Sequence, residues 1–399
     1  MWLKTDFMKR IKAGLLPKII IAIIAGILCA LFFPDWLVRI FLTVNALFGN
    51  FLNFIIPLLI LGLVAPGIAD LGKGAGRLLL VTALLAYGFT LFSGFFTYFT
   101  CDLVYPWLLS SADHTADVKE SSVVLQPYFT VEMPAVMGVM SALILAFTLG
   151  LGMSVIDGNR LKLVMEDFKD IINQVIMSVI IPILPLYIFG IFLNMTNSGQ
   201  VTGIMGVFLK IIVVIFIMTV ILLFIQFFIA GFVGKKNPFR LFRNMLPAYM
   251  TALGTQSSAA TIPVTLEQTI KNGVRPDLAG FVIPLCATIH LSGSTMKIVA
   301  CSMAIMLMSG MDIHLGQFAG FIMMLGIAMV AAPGVPGGAI MAALGLLQSM
   351  LGFDETAQGL MIALYIAMDS FGTATNVTGD GAIAVIVDRI NKNVWRYRN

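Results

Sequence analysis

Long apolar runs, broken by short polar and basic stretches, recur along this chain. Runs of about 20 apolar residues are long enough to cross a hydrocarbon core. Their pattern predicts spanning helices over 18–34, 43–68, 76–101, 134–156, 171–195, 203–231, 278–309 and 356–389. Two further apolar stretches, 240–270 and 315–351, are interrupted midway by small residues and proline. The first breaks at Gly254-Thr-Gln-Ser-Ser-Ala-Ala-Thr-Ile-Pro263, the second at Ala331-Ala-Pro-Gly-Val-Pro-Gly-Gly338. Such interruptions predict re-entrant hairpins that enter and leave on one side. The expected fold class is therefore an all-α polytopic membrane protein, with eight transmembrane helices plus two re-entrant helical hairpins.

Polar residues stand out against this background. In Met368–Asp380 the chain places Asp369, Thr373, Asn376 and Asp380 at helical spacing, with apolar sequence on both sides. A carboxylate near a bilayer centre costs at least ~3 kcal/mol on insertion scales, so two of them imply compensating cations or amines. That is the pattern of a substrate and ion site. Thr288-Ile-His-Leu-Ser-Gly-Ser294 follows the first hairpin and Ala374-Thr-Asn-Val-Thr-Gly-Asp380 follows the second. A hairpin and then a polar break, twice, predicts two repeats inserted with opposite topology.

Charge fixes the orientation. With both termini inside and both hairpins returning to their side of entry, the N-terminal Lys4, Lys9, Arg10, Lys12 and Lys18 fall on the cytoplasmic face. So do Lys73, Arg77, Arg160, Lys162, Lys169, Lys235 to Arg243, Lys271, Arg275 and Arg389 to Arg398, leaving only Arg39 and Lys119 outside. This agrees with the positive-inside bias and supports eight helices plus two hairpins. No small-residue cleavage site is obvious after the N-terminal basic cluster, so that run reads as a first membrane helix, not a removed signal. The chain of 399 residues is 59% hydrophobic and 11% charged, which excludes a soluble domain. Its net charge of +4 is spread over membrane-flanking loops, so no nucleic-acid partner is expected. Cys29, Cys101, Cys286 and Cys301 lack metal or redox spacing.

At these residues the chain resembles the dicarboxylate/amino acid:cation symporter family, which contains the glutamate transporters. Ser257–Val264 looks like the family's first hairpin tip, Gly334-Val-Pro-Gly337 like its second, and Asn376-Val-Thr-Gly-Asp380 like its last helix. Cys286-Ala-Thr-Ile-His-Leu-Ser-Gly-Ser294 stands where the family has Gly-Ala-Thr-Ile-Asn-Met-Asp-Gly-Thr. The resemblance implies a homotrimer in the lipid bilayer, working as an elevator. Its scaffold would be approximately 1–72 and 134–200, its transport part approximately 73–102 and 201–391. It also implies a substrate site of Ser257, Ser258, Ser294, Val335, Gly338, Asp369, Gly372, Thr373 and Asn376. Asn376 would meet the α-carboxylate, and Asp369 the α-ammonium. Sodium (Na+) would be the coupling ion. Asp380, with carbonyls near Cys286, His290 and Asn376, would hold one ion. Carbonyls of Thr288, Met329, Val330 and Ala332 would hold another.

Two departures sharpen the reading. Acidic-substrate members carry an arginine three residues after the ammonium-binding aspartate, or one in the first hairpin; here those positions hold Gly372 and Gln256. Burying an unpaired substrate carboxylate costs several kcal/mol. A small neutral amino acid is therefore expected, serine or threonine first, which places the chain nearest the bacterial serine/threonine:sodium symporters of the inner membrane. The family's third-sodium aspartate has become Ser292, and Ala86 and Phe89 stand where helix hydroxyls are expected, with Thr90 keeping one. Two coupled sodium ions at most are expected.

Lys297 and Lys210 are the two basic residues inside spanning segments. Lys297 is a candidate partner for a buried aspartate, a lining residue of a water-filled gap, a substitute for the missing cation, or a snorkelling surface group. His290 is either a satisfied core histidine or an ion or proton ligand. The competing functions are an acidic amino acid or dicarboxylate symporter, a passive anion pathway, and an intramembrane hydrolase using Ser258, His290 and Asp380. No nucleophile motif surrounds Ser258, so no enzyme is expected.

Overall fold

The computed structural model describes residues 15–72, 77–109, 125–156, 158–199, 201–332 and 336–396. Within them the chain is helical. The first part comprises α1 (Leu15–Ala30), α2 (Asp35–Gly72), α3 (Arg77–Leu109), α4 (Val139–Val155), α5 (Arg160–Val175), α6 (Ile181–Asn197) and α7 (Val201–Gly234). A π-helical turn, Ile176–Ile180, joins α5 to α6, making one continuous span of 160–197. Among the described residues, five helical stretches are long and apolar enough to cross a membrane alone, and a bent pair supplies a sixth. The shorter apolar helices α1 and α4, with 16 and 17 residues, fall where the other two crossings are expected.

The second part is built twice over. The helices α8 (Pro238–Thr255) and α9 (Ser258–Lys271) form a hairpin, followed by the broken pair α10 (Pro276–Ile289) and α11 (Ser292–Met308). The helices α12 (Leu315–Val330) and α13 (Gly338–Leu351) form another, followed by α14 (Glu355–Ala367) and α15 (Asp369–Arg396). The predicted spans 278–309 and 356–389 are thus each two helices, and the second pair bends by 61°.

The breaks have local causes. The helix α8 ends where Gln256 adopts a left-handed conformation (φ 53°), which a non-glycine residue adopts only at some strain. Ser257 then starts α9 by accepting a hydrogen bond from the Ala260 N–H at 3.3 Å. In the second hairpin Gly337 (φ 76°) makes the corresponding turn into α13. His290 is extended (φ −106°, ψ 100°) and ends α10, leaving the first N–H groups of α11 free for other partners.

The helices α11 and α15 lie at the centre. Every residue from Ser292 to Met306 is buried, and so is α15 from Gly372 to Asp388. Their polar residues therefore face protein, the arrangement a bilayer requires. By contrast, Leu209, Val213, Phe216 and Ile217 of α7 and Leu80 and Leu84 of α3 are exposed, as lipid-facing residues are.

Candidate substrate and ion site

The helix break at Met368 puts Asp369 at the first position of α15, beside α11 and the second hairpin. Its Oδ1 accepts from Lys297 Nζ at 3.2 Å and its Oδ2 from the Gly337 N–H at 2.9 Å. Lys297 is wholly buried and Asp369 is 5% exposed. The lysine also donates to the Met368 carbonyl at 3.3 Å and stands 3.8 Å above the Tyr365 ring. A buried charge needs such company, because an unpaired one is strongly destabilising. One turn along α15, a Cβ on Gly372 would collide with Cε and Nζ of Lys297. Of the four roles open to Lys297 from sequence, the structure excludes snorkelling. It puts the amine on the open face of Gly372, the position from which a family arginine would project.

Asn376 lies two turns from Asp369. Its Oδ1 accepts from the Gly293 N–H at 2.8 Å and from the Ser294 N–H at 3.4 Å, so it caps the start of α11. Its Nδ2 donates to Ser294 Oγ at 3.1 Å, and Tyr365 OH reaches the same oxygen at 3.0 Å. The amide expected to meet a substrate carboxylate thus also pins two broken helices together. Thr373 is buried between Asp369 and Asn376 on the same helix.

Both hairpins reach this place. Gln256 Nε2 donates to Ser370 Oγ at 2.9 Å, one residue from Asp369. Ser257 and Ser258 lie beside it and are half-buried, whereas Gly338 is buried at the start of α13. Val335 falls outside the described residues.

The candidate ion ligands lie on α10, at the end of α12 and further along α15. His290 Nδ1 lies 2.9 Å from Asp380 Oδ1, and both side chains are buried. The Cys286 carbonyl accepts from the His290 N–H at 2.9 Å. Thr288 is exposed, its hydroxyl donating to the Leu285 carbonyl at 2.7 Å. Met329, Val330 and Ala332 sit at the end of α12, where the Met329 carbonyl accepts from the Ala332 N–H at 3.2 Å. Carboxylate and main-chain oxygens such as these are hard donors and suit a hard alkali cation. Among the described residues no group of three or more His, Cys, Asp or Glu is arranged to hold a metal.

Around Ser292 the ligands are neutral. Its hydroxyl accepts from Gln226 Nε2 at 3.2 Å, and its carbonyl accepts from Ser93 Oγ at 2.6 Å. Thr90 donates to its own helix, to the Ala86 carbonyl at 2.9 Å. Sequence reasoning missed both Gln226 and Ser93. Gln226 is one buried amide in a very apolar span, and that was the available signal. Asp388 was also missed: at the far end of α15 it pairs with Arg275 at 3.0 Å and Lys392 at 2.7 Å.

Two hairpins and two broken helices meeting at buried, oppositely charged side chains are the architecture found in repeat-built membrane transporters. The particular family follows from comparison. A model described as the sodium:dicarboxylate symporter family matches residues 15–390, and the chain belongs to that family. It is a family of transporters, not enzymes, with an elevator-type fold. The serine/threonine transporter SstT of Acinetobacter baumannii (strain AYE) is 28% identical over 96% of this chain and 98% of its own length. The rat excitatory amino acid transporter 1 is 30% identical over 59% of this chain, and the human excitatory amino acid transporter 2 is 30% identical over the same share. The matched regions cover 44% and 42% of those longer proteins.

Proposed function

We propose that the chain is a sodium-coupled symporter of small neutral amino acids, serine and threonine first. It would act in a bacterial inner membrane as a homotrimer with both termini cytoplasmic. The scaffold (1–72 and 134–200) would hold still while the transport part (73–102 and 201–391) moves as an elevator. One observation carries the reading. Both hairpins converge on the start of α15, through Gln256 on Ser370 and Gly337 on Asp369, next to the Asn376–Ser294 pair. A zwitterion placed there has Asp369 for its ammonium and, for its carboxylate, the main-chain N–H groups at the hairpin helix starts. Ser294, Thr373 and Gln256 offer partners to a side-chain hydroxyl. Lys297 and Asp369 sum to zero charge, and a zwitterion leaves that balance unchanged.

A second reading, transport of acidic amino acids, is favoured by one observation. The Lys297 amine occupies the face of Gly372, so a cation stands near the place of the family arginine. Lysine is a point charge rather than a fork, and here it is already engaged by Asp369. The two readings separate in purified protein reconstituted into liposomes. Serine accumulated against its gradient under inward sodium, blocked by excess threonine and not by aspartate, supports the first. Block by aspartate alone supports the second. Equilibration without accumulation would instead indicate a passive pathway.

A further inference from the structure

We propose that Lys297 is a tethered counter-cation, which takes the place of the substrate ammonium on Asp369 and lets the carrier reorient empty without a second ion. The proposal rests on the symporter reading above. After each delivery a symporter must return without its substrate, whereas an exchanger need not. A bare carboxylate buried in the empty pocket would make that return unfavourable. Here the chain itself supplies what is missing. Lys297 Nζ meets one oxygen of Asp369 at 3.2 Å, and the Gly337 N–H meets the other at 2.9 Å. With both oxygens engaged, the carboxylate is neutralised and hydrogen-bonded by protein alone.

The surroundings suit a cation that can also give way. A Cβ at residue 372 would occupy the space of the amine, so Gly372 is what admits it. When an arriving ammonium takes Asp369, Lys297 keeps the Met368 carbonyl and the face of Tyr365. A lysine over an aromatic ring with a carbonyl acceptor in reach is not left orphaned. Tyr365 in turn holds Ser294, which Asn376 also holds, so the lysine's seat belongs to the same rigid crossing as the pocket. The buried pair is therefore more than a structural ion bridge: it matches the charge state of the loaded pocket in the unloaded one.

The test uses Lys297→Met and Lys297→Gln in proteoliposomes. Serine binding in saturating sodium, serine–serine exchange, and net uptake into vesicles without internal serine are measured for each. Exchange is expected within about twofold of wild type, because the substrate brings its own ammonium. Net uptake is expected to fall at least about tenfold, because the empty form has lost its buried counter-charge. Lys297→Arg, which keeps the charge, should recover part of the net uptake. Two results would overturn the proposal. One is net uptake and exchange changing together, or neither changing. The other is both neutral variants losing serine binding while their melting temperature is preserved, which would make Lys297 a direct substrate ligand. Failure of the wild type to accumulate any amino acid contradicts the symporter reading. An accumulating wild type whose neutral variants do not separate exchange from net uptake contradicts the role of Lys297 alone.

Discussion

Asp369 carries the largest consequence of any single residue in this account. Its buried carboxylate meets the second hairpin at Gly337 and is paired with Lys297, one residue from the first hairpin's contact at Ser370. Asp369→Asn is expected to weaken serine binding in saturating sodium by about 3–5 kcal/mol, a hundredfold or more. Near wild-type affinity in the folded mutant would show that the ammonium binds elsewhere. Gly372→Arg is a more demanding case. The new side chain would enter the space of the Lys297 amine, so the single mutant is expected to fold poorly and melt several degrees lower. In a Lys297→Ala background the guanidinium has room, and aspartate should then compete with labelled serine. Unchanged selectivity in that folded double mutant would remove residue 372 from the pocket. The ion site gives the third residue-scale prediction. Asp380→Ala should weaken the sodium dependence of serine affinity far more than Ser292→Ala, because only Asp380 brings formal charge. The Ser292 hydroxyl is already held by Gln226, and a Ser292→Ala defect as deep as that of Asp380→Ala would refute this ordering.

At the scale of elements, the crossing of α11 and α15 decides whether the site exists. Gly293 is a point of close backbone approach: a Cβ there would sit 2.6 Å from the Gly372 carbonyl and 2.6 Å from Thr375 Cβ. Gly293→Ala is therefore expected to destabilise the protein by about 1–3 kcal/mol, read as a lower melting temperature in detergent. An unshifted melt would mean that the two helices can separate freely. This crossing also explains what the sequence could and could not reveal. Glycine and proline runs marked both hairpins, because backbone breakers act locally. Asp369, Asn376 and Asp380 were legible because ionisable residues inside an apolar run are costly and rarely accidental. The seat of Lys297 on Gly372 was not legible. It depends on how closely α11 approaches α15, and nothing local in either helix sets that distance. Gln226 and Ser93 escaped for the same reason: each lies on a different helix from Ser292, joined to it only by packing. The polar motifs Thr288–Ser294 and Ala374–Asp380 point to two broken helices: the first breaks at His290, within its motif, whereas the second lies inside continuous α15, whose 61° break falls earlier, at Met368, with no proline or glycine to announce it.

For the whole molecule, the buried polar and charged groups gather where the two hairpin turns meet α11 and α15, inside an otherwise apolar core. That arrangement suits a pocket that carries its cargo with the protein around it and does not suit a continuous pore. The central claim is coupled transport of a small neutral amino acid, and sodium-gradient-driven uptake of labelled serine in proteoliposomes tests it most directly. With sodium outside only, internal serine should rise above the external concentration, collapse when sodium is equalised, and resist a hundredfold excess of aspartate. Serine that merely equilibrates, or that enters equally well without a sodium gradient, would contradict the account.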